Sequence, residues 1–256
     1  MRIQRYRYGG HSPSQFIDLR IPEGPGPYAI IMLIHGGFWR GEYDLSLMDP
    51  MAFDLTQRGF GTLNLEYRRT GEAGGGWPGT FLDIVEALNH VPKLAQDQAL
   101  DLSRLTLLGH SAGGHLALWV AGQHNMSPAS RLSSPKLTIP IHRVISLAGV
   151  TDLLAMYQVL HGSSPVGELI GLAPDEDPDR YRQASPIALL PLGVPQVLIH
   201  GTEDNRVPIE QSREYRRQAE SLGDPVRLIE LPGVDHFQII TPGTSAWDTV
   251  TSVLLE

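Results

Sequence analysis

Leu105-Thr106-Leu107-Leu108-Gly109-His110-Ser111-Ala112-Gly113-Gly114-His115-Leu116-Ala117 begins as a short apolar run and ends as a small-residue helical pattern. Between the two lies Gly-x-Ser-x-Gly, in the strand–turn–helix setting that a nucleophile elbow requires. An elbow holds its serine on a tight, strained turn, and Gly109 and Gly113 stand where the chain must pass close to itself without a Cβ. Ser111 would then project above the sheet, with Ala112 N–H at the start of the next helix directed toward a reacting oxygen. Glycine and serine are common in loops, so the five residues alone would also suit an ordinary turn. The apolar strand before them and the helix after them favour the nucleophile.

Outward from this stretch, apolar runs alternate with helical patterns from end to end, which predicts an α/β fold with a mostly parallel sheet covered by helices. Phe16–Ile21 reads as an early strand, closed by a turn-rich loop over 22–27. Tyr28–Ile34 is continuously apolar, as expected of a strand buried on both faces. Residues 47–58 have helical spacing that stops at Gly59, and 60–67 form the next strand. Thr80-Phe81-Leu82-Asp83 resembles a capping box that opens a helix running to about Val91. Strands follow at 144–148, 196–200 and 226–231, with helices at 208–222 and 245–255. Residues 151–190 are rich in Pro, Gly and Asp and lack a clean strand. They predict a short helical cap inserted into a single domain spanning 1–256.

Composition bounds the partners. The 256 residues carry a formal net charge of −8, which disfavours nucleic acid and anionic membrane surfaces. The absence of cysteine excludes disulfides, thiolate zinc sites and a cysteine nucleophile. The basic start, Met1 to Tyr8, is followed by no apolar h-region, and no run approaches a membrane span. A cytoplasmic protein is therefore expected, with no metal and no cofactor. Monomer and homodimer both remain open.

Serine is a weak nucleophile until a base takes its proton, so an acid and a histidine must follow it in the chain. The loop His200-Gly201-Thr202-Glu203-Asp204-Asn205-Arg206-Val207-Pro208 follows a late strand and offers Asp204, with Glu203 as the neighbouring alternative. His236 comes 32 residues after Asp204, directly after the last strand, so one helix and one strand separate two loops at the same sheet edge. Asp235 is too close along the chain to orient His236 from behind. His200 ends a strand under the acid loop, where packing accounts for it, and His115 faces the sheet or the cap. Oxyanion donors are expected from Gly37, Phe38 and Ala112, because His35-Gly36-Gly37-Phe38-Trp39 directly follows the buried strand. Trp39, Trp77 and Phe237 are the expected walls of the substrate pocket.

With these residues in view, the chain resembles the α/β-hydrolase superfamily from about Tyr8 to Leu255. The resemblance rests on His35–Trp39, Glu66-Tyr67-Arg68, Trp77-Pro78 with Asp83, the elbow, Ser185-Pro186, the acid loop and Asp235-His236-Phe237. It is most similar to the esterase/lipase branch with a His-Gly-Gly-x-Trp oxyanion loop, which includes kynurenine formamidases and bacterial feruloyl and acetyl esterases. Phe38 stands where the hormone-sensitive-lipase pattern has a third glycine, and the propeller of the prolyl oligopeptidases is missing, so peptidase activity is not expected. The resemblance implies a cofactor-free carboxylesterase acting on a small-molecule ester through Ser111, His236 and Asp204. An arylformamidase would use the same machinery. A ligand-binding protein on a hydrolase scaffold is the reading from another class, and it normally goes with a broken triad.

Overall fold

Eight strands form one sheet in the computed structural model, which describes residues 2–161 and 165–256. They are β1 (Arg2–Arg7), β2 (Phe16–Ile21), β3 (Tyr28–Ile34), β4 (Gly61–Glu66), β5 (Leu100–His110), β6 (Arg143–Leu147), β7 (Gln196–Gly201) and β8 (Val226–Leu231). Their order across the sheet is β1-β2-β4-β3-β5-β6-β7-β8. Only β2 runs against its neighbours, β1 and β4, and every other pairing is parallel. The helices are α1 (Asp49–Gln57), α2 (Gly79–Asp97), α3 (Ala112–Ala121), α4 (Leu153–Val159), α5 (Pro165–Ile170), α6 (Pro178–Ala184), α7 (Glu210–Ser221) and α8 (Ser245–Leu255).

The apolar run of β3 explains the layering. Alternate strand residues point to opposite faces. Ile30, Met32 and Ile34 join one core with Ile84 and Leu88 of α2 and with Leu116 and Trp119 of α3. Ile31 and Leu33 join a second core with Met51 and Leu55 of α1 and with Trp247 and Val250 of α8. Burial on both faces favours the continuous apolar run of β3 over the alternation of a half-exposed strand. The parallel register then sets the site: Ile34 pairs with Gly109, His110 with Leu147, and Gly201 with Leu231. The loops after β3, β5, β7 and β8 therefore leave the same edge of the sheet.

Four local readings differ from the sequence. β1 is an edge strand in the stretch read only as a basic start. β5 begins at Leu100, before the apolar run, and pairs with Tyr28 and Ala29 ahead of a register shift. The segment expected as one helix over 47–58 is a 3-10 turn, Leu45–Met48, followed by α1. Finally, α2 continues through Pro92 to Asp97. Proline costs a helix one hydrogen bond, but Val91 and Leu94 are buried in the core on either side of it and hold the helix together.

Between β6 and β7 the described part of residues 151–190 is helical: α4, α5, α6 and a 3-10 turn, Pro186–Leu189. Residues 162–164 of the expected cap lie outside the described residues, as does Met1. Leu153, Met156, Val166, Leu169 and Tyr181 from this segment join the same core as α3. Among the described residues, no helix is long and apolar enough to cross a membrane.

Candidate active site

Ser111 occupies the one-residue turn between β5 and α3, with φ 55° and ψ −117°, a region that side chains other than glycine rarely enter. The turn is held from both sides. Ser111 N–H donates to Leu147 O at 2.8 Å, and His115 N–H donates to Ser111 O at 3.0 Å. A Cβ on Gly109 would collide with the Gly113 carbonyl, which is why the motif needs glycine there. The strain is thus fixed by surrounding backbone, and Ser111 is left only 2 % exposed.

The loop after β7 presents Asp204. Its Oδ1 accepts Arg206 N–H at 2.8 Å and Val207 N–H at 2.9 Å. Its Oδ2 accepts from His236 Nδ1 at 2.6 Å and lies 3.3 Å from His200 Nε2. Burial works to raise the Asp204 pKa. Hydrogen bonds from His200 and His236 outweigh it and hold the carboxyl well below the usual carboxylate range. A proton on Nδ1 directed at Asp204 leaves Nε2 of His236 with the lone pair. Glu203 is exposed. Asp235 turns its Oδ1 to the N–H groups of Phe237 and Gln238, at 2.9 and 2.8 Å. Of the three carboxylates considered from the sequence, Asp204 is the one against His236.

Two further histidines brace this arrangement. His110 donates from Nε2 to the His236 carbonyl at 3.0 Å, and the two rings are 4.5 Å apart. Burial, with the neighbouring His236 ring, lowers the His110 pKa to about 3, so it holds the backbone of His236 as a neutral donor. His200 bonds Ser212 Oγ at 2.8 Å and donates from Nε2 to Val207 O at 3.0 Å, pinning the acid loop to α7.

The loop after β3 carries three consecutive left-handed residues, Gly37 (φ 107°), Phe38 (51°) and Trp39 (58°). It passes directly over the elbow: a Cβ on Gly36 would lie 3.0 Å from Ser111 Cβ. Among the described residues, no protein acceptor takes the N–H of Gly37 or Phe38. Ala112, the first residue of α3, has no intrahelical acceptor either. The loop's root is fixed by His35, whose Nε2 is 3.1 Å from Glu66 Oε1 and whose ring stacks on Tyr67 at 4.3 Å.

Two of the three expected pocket walls are elsewhere. Trp39 is fully buried and donates its indole N–H to His115 Nδ1 at 3.2 Å. A buried indole needs an acceptor, and His115 supplies it from inside the core. His115 in turn donates from Nε2 to Ala184 O at 2.8 Å, with its pKa lowered to about 4 by burial. Trp77 packs edge-on against Phe81, lies beneath the Arg180 guanidinium and donates its backbone N–H to Leu169 O. It anchors α5 and α6 rather than lining the cavity.

Ser111 and His236 face one cavity of about 70 Å³, walled by Gly37, Phe38, Tyr43, Leu47, Arg206 and Phe237. Tyr43, Leu47 and Arg206 were not anticipated. Arg206 stands in the acid loop and could have been found there, whereas Tyr43 and Leu47 carry no local signal. None of these walls comes from the described part of residues 151–190. A much larger groove, about 920 Å³, lies beside Arg40 and Glu168 and contains none of the residues assembled here.

A family model described as BD-FAE matches residues 17–218. Esterase LipC of Mycobacterium tuberculosis is 24 % identical over 96 % of this chain, which spans 62 % of LipC's length. The acylamino-acid-releasing enzyme of Rattus norvegicus is 27 % identical over 81 % of the chain and 28 % of its own length. The chain thus spans less than two thirds of these curated relatives. Among solved structures, a truncated carbohydrate esterase from gut microbiota superposes with a TM-score of 0.83 at 24 % identity, covering 98 % of this chain and 95 % of the other. The fold is that of the α/β-hydrolases.

Proposed function

The chain belongs to the BD-FAE family, and from that premise we propose that it hydrolyses carboxylic esters of small acyl groups through an acyl-enzyme. Ser111 Oγ attacks the acyl carbonyl carbon while His236 Nε2 takes the hydroxyl proton. The carbonyl π pair moves onto oxygen, where the N–H groups of Gly37, Phe38 and Ala112 receive the charge. Collapse of the tetrahedral intermediate breaks the bond to the leaving oxygen, which takes the proton from His236. Water, deprotonated by the same nitrogen, then cleaves the acyl-serine ester and restores Ser111. Asp204 keeps the proton of the neutral imidazole on Nδ1 and stabilises the imidazolium once it forms. Its depressed pKa keeps it ionised throughout.

The observation that supports this reading most is the 2.6 Å contact of His236 Nδ1 with Asp204, made by a histidine that shares a small cavity with the strained Ser111. The small cavity supports short acyl groups. A fluorophosphonate probe should label the wild type at Ser111 and leave Ser111→Ala unlabelled. A hydrolysis panel of short and long p-nitrophenyl esters, feruloyl esters, acetylated sugars and N-formylkynurenine should give its highest kcat/KM with a short ester. Highest activity on N-formylkynurenine would replace the ester reading by the formamidase one. No labelling and no turnover would leave a binding protein.

A further inference from the structure

Resting on the ester-hydrolase reading, we propose that Arg206 selects esters whose leaving alcohol carries a carboxylate. Among the described residues, Arg206 is the only one with a formal charge lining the cavity of Ser111, because no described aspartate or glutamate does so. The remaining walls are glycine, aromatic or aliphatic apart from the histidines and the serine. Its guanidinium has no hydrogen bond or ion pair among the described residues, where its only bond is made by the backbone N–H. Exposed arginines of this acidic chain are commonly paired: Arg213 with Glu210 and Glu230, Arg217 with Glu214, and Arg227 with Glu256. Asp204, two residues away, cannot serve as its partner. Its oxygens are occupied by His236, His200 and the N–H groups of Arg206 and Val207.

The position of Arg206 assigns it to the alcohol side. Its backbone is pinned at 2.8 Å to the carboxylate that orients the base, and the base delivers its proton to the leaving oxygen. The same residue also borders an open groove of about 660 Å³, lined by Asp204, Asn205, Pro208 and Ile209 and, farther along the chain, by the ion-paired Glu210 and Arg213. Phe38, Tyr43 and Leu47, from the chain segment after β3, also wall the cavity and hold no charge for an anionic acyl group to meet. A guanidinium binds a carboxylate through two parallel N–H donors. At an exposed rim the gain is modest and salt-sensitive, on the order of tenfold in kcat/KM.

The test compares 4-acetoxybenzoate with 4-acetoxybenzamide, which differ in the charge on the leaving phenol, in the wild type, Arg206→Gln and Arg206→Glu. The ratio of kcat/KM, charged over neutral, should fall by roughly tenfold in Arg206→Gln and further in Arg206→Glu, and the wild-type ratio should shrink in 0.5 M NaCl. Monoethyl succinate against ethyl butyrate places the charge on the acyl side, and that ratio should not follow the variants. Inhibition by the product 4-hydroxybenzoate should weaken in parallel, relative to 4-hydroxybenzamide, which gives a binding readout independent of turnover. The proposal is overturned if the benzoate ratio stays within twofold across the three proteins, or if the succinate ratio moves in its place. In those cases the neutral esters are still cleaved and the ester-hydrolase reading stands. If none of the four esters is cleaved by any of the proteins, the ester reading itself has failed, and this proposal with it.

Discussion

Trp39 gives its indole N–H to His115 Nδ1 across 3.2 Å, and this bond ties the loop over Ser111 to the helix that begins beneath it. The tie continues from His115 Nε2 to Ala184 O, so three separate chain segments meet at one buried imidazole. Preorganisation of an oxyanion site depends on donors that cannot drift when charge develops. This bond fixes the residue directly after Phe38. Trp39→Phe should keep an aromatic ring in the core, smaller than the indole, and lose the bond. We expect kcat to fall by about tenfold with KM within about twofold, since the donors serve the transition state more than the bound ester. Steady-state kinetics on a neutral acetyl ester check this, and an equal loss of binding in place of kcat would contradict it.

Removing the nucleophile is the most direct check on the elbow. Ser111→Ala should fold with an unchanged circular dichroism spectrum and lose roughly 10⁶ of turnover. More than a few per cent of residual activity in a pure sample would rule out Ser111 as the attacking group.

The acid is tested by three parallel amide substitutions. Asp204→Asn should lower kcat by roughly 10⁴, because the amide no longer favours the proton on Nδ1 of His236. Glu203→Gln and Asp235→Asn should change kcat far less, since one side chain is exposed and the other caps the backbone after His236. A larger effect from Glu203→Gln than from Asp204→Asn would move the acid by one residue.

Stability should decline on the acid side of neutrality, for a reason that can be assigned. Burial lowers the pKa of His110 to about 3 and of His115 to about 4. Both are below the unfolded value of about 6.5, so the unfolded chain binds these protons first. The stability tied to each neutral ring is complete above about pH 6.5. It drains as pH falls below that value, at up to about 1.4 kcal/mol per pH unit for each ring. Asp204, whose pKa is depressed, acts in a separate window: its contribution holds above its unfolded value of about 3.9 and is lost only in stronger acid. Urea unfolding at pH 7.5, 6.0 and 4.5 should therefore show a falling midpoint. His115→Asn should be less stable at pH 7.5 but fall more gently. An identical slope in the variant would show that His115 does not titrate on unfolding.

Chain length should matter at the acyl end. The cavity of about 70 Å³ is bounded by Phe38, Tyr43, Leu47 and Phe237, and each added methylene must find room among packed side chains. Acetyl to butyryl p-nitrophenyl esters should be cleaved with higher kcat/KM than decanoyl esters, without activation at lipid interfaces. Phe237→Ala, at the half-open rim, should raise the hexanoyl-to-acetyl ratio by a few-fold. Faster cleavage of long esters by the wild type would mean that the cavity opens into a channel.

The sequence by itself determined the mostly parallel sheet and the strand–turn–helix around Ser111, and it singled out Asp204 and His236 in loops that the sheet brings together. These features are written locally. A strand buried on both faces can read as one continuous apolar run, as Tyr28–Ile34 does, and a turn that brings Gly109 against Gly113 tolerates no Cβ. Register did the rest, since loops leaving one edge of parallel strands have to meet. The destination of single side chains was decided only by the tertiary structure. Trp39 and Trp77 read as pocket walls, yet the indole of Trp39 found its acceptor inside the core and Trp77 packed against Phe81. β1 escaped notice because an edge strand with an exposed face carries no apolar run. Pro92 misled for the opposite reason: burial of Val91 and Leu94 outweighs what proline costs the helix. Tyr43, Leu47 and Arg206 reach the cavity from two loops that only the folded sheet brings together. Backbone constraint is local and leaves its mark in a motif, whereas the company a side chain keeps depends on every element packed around it.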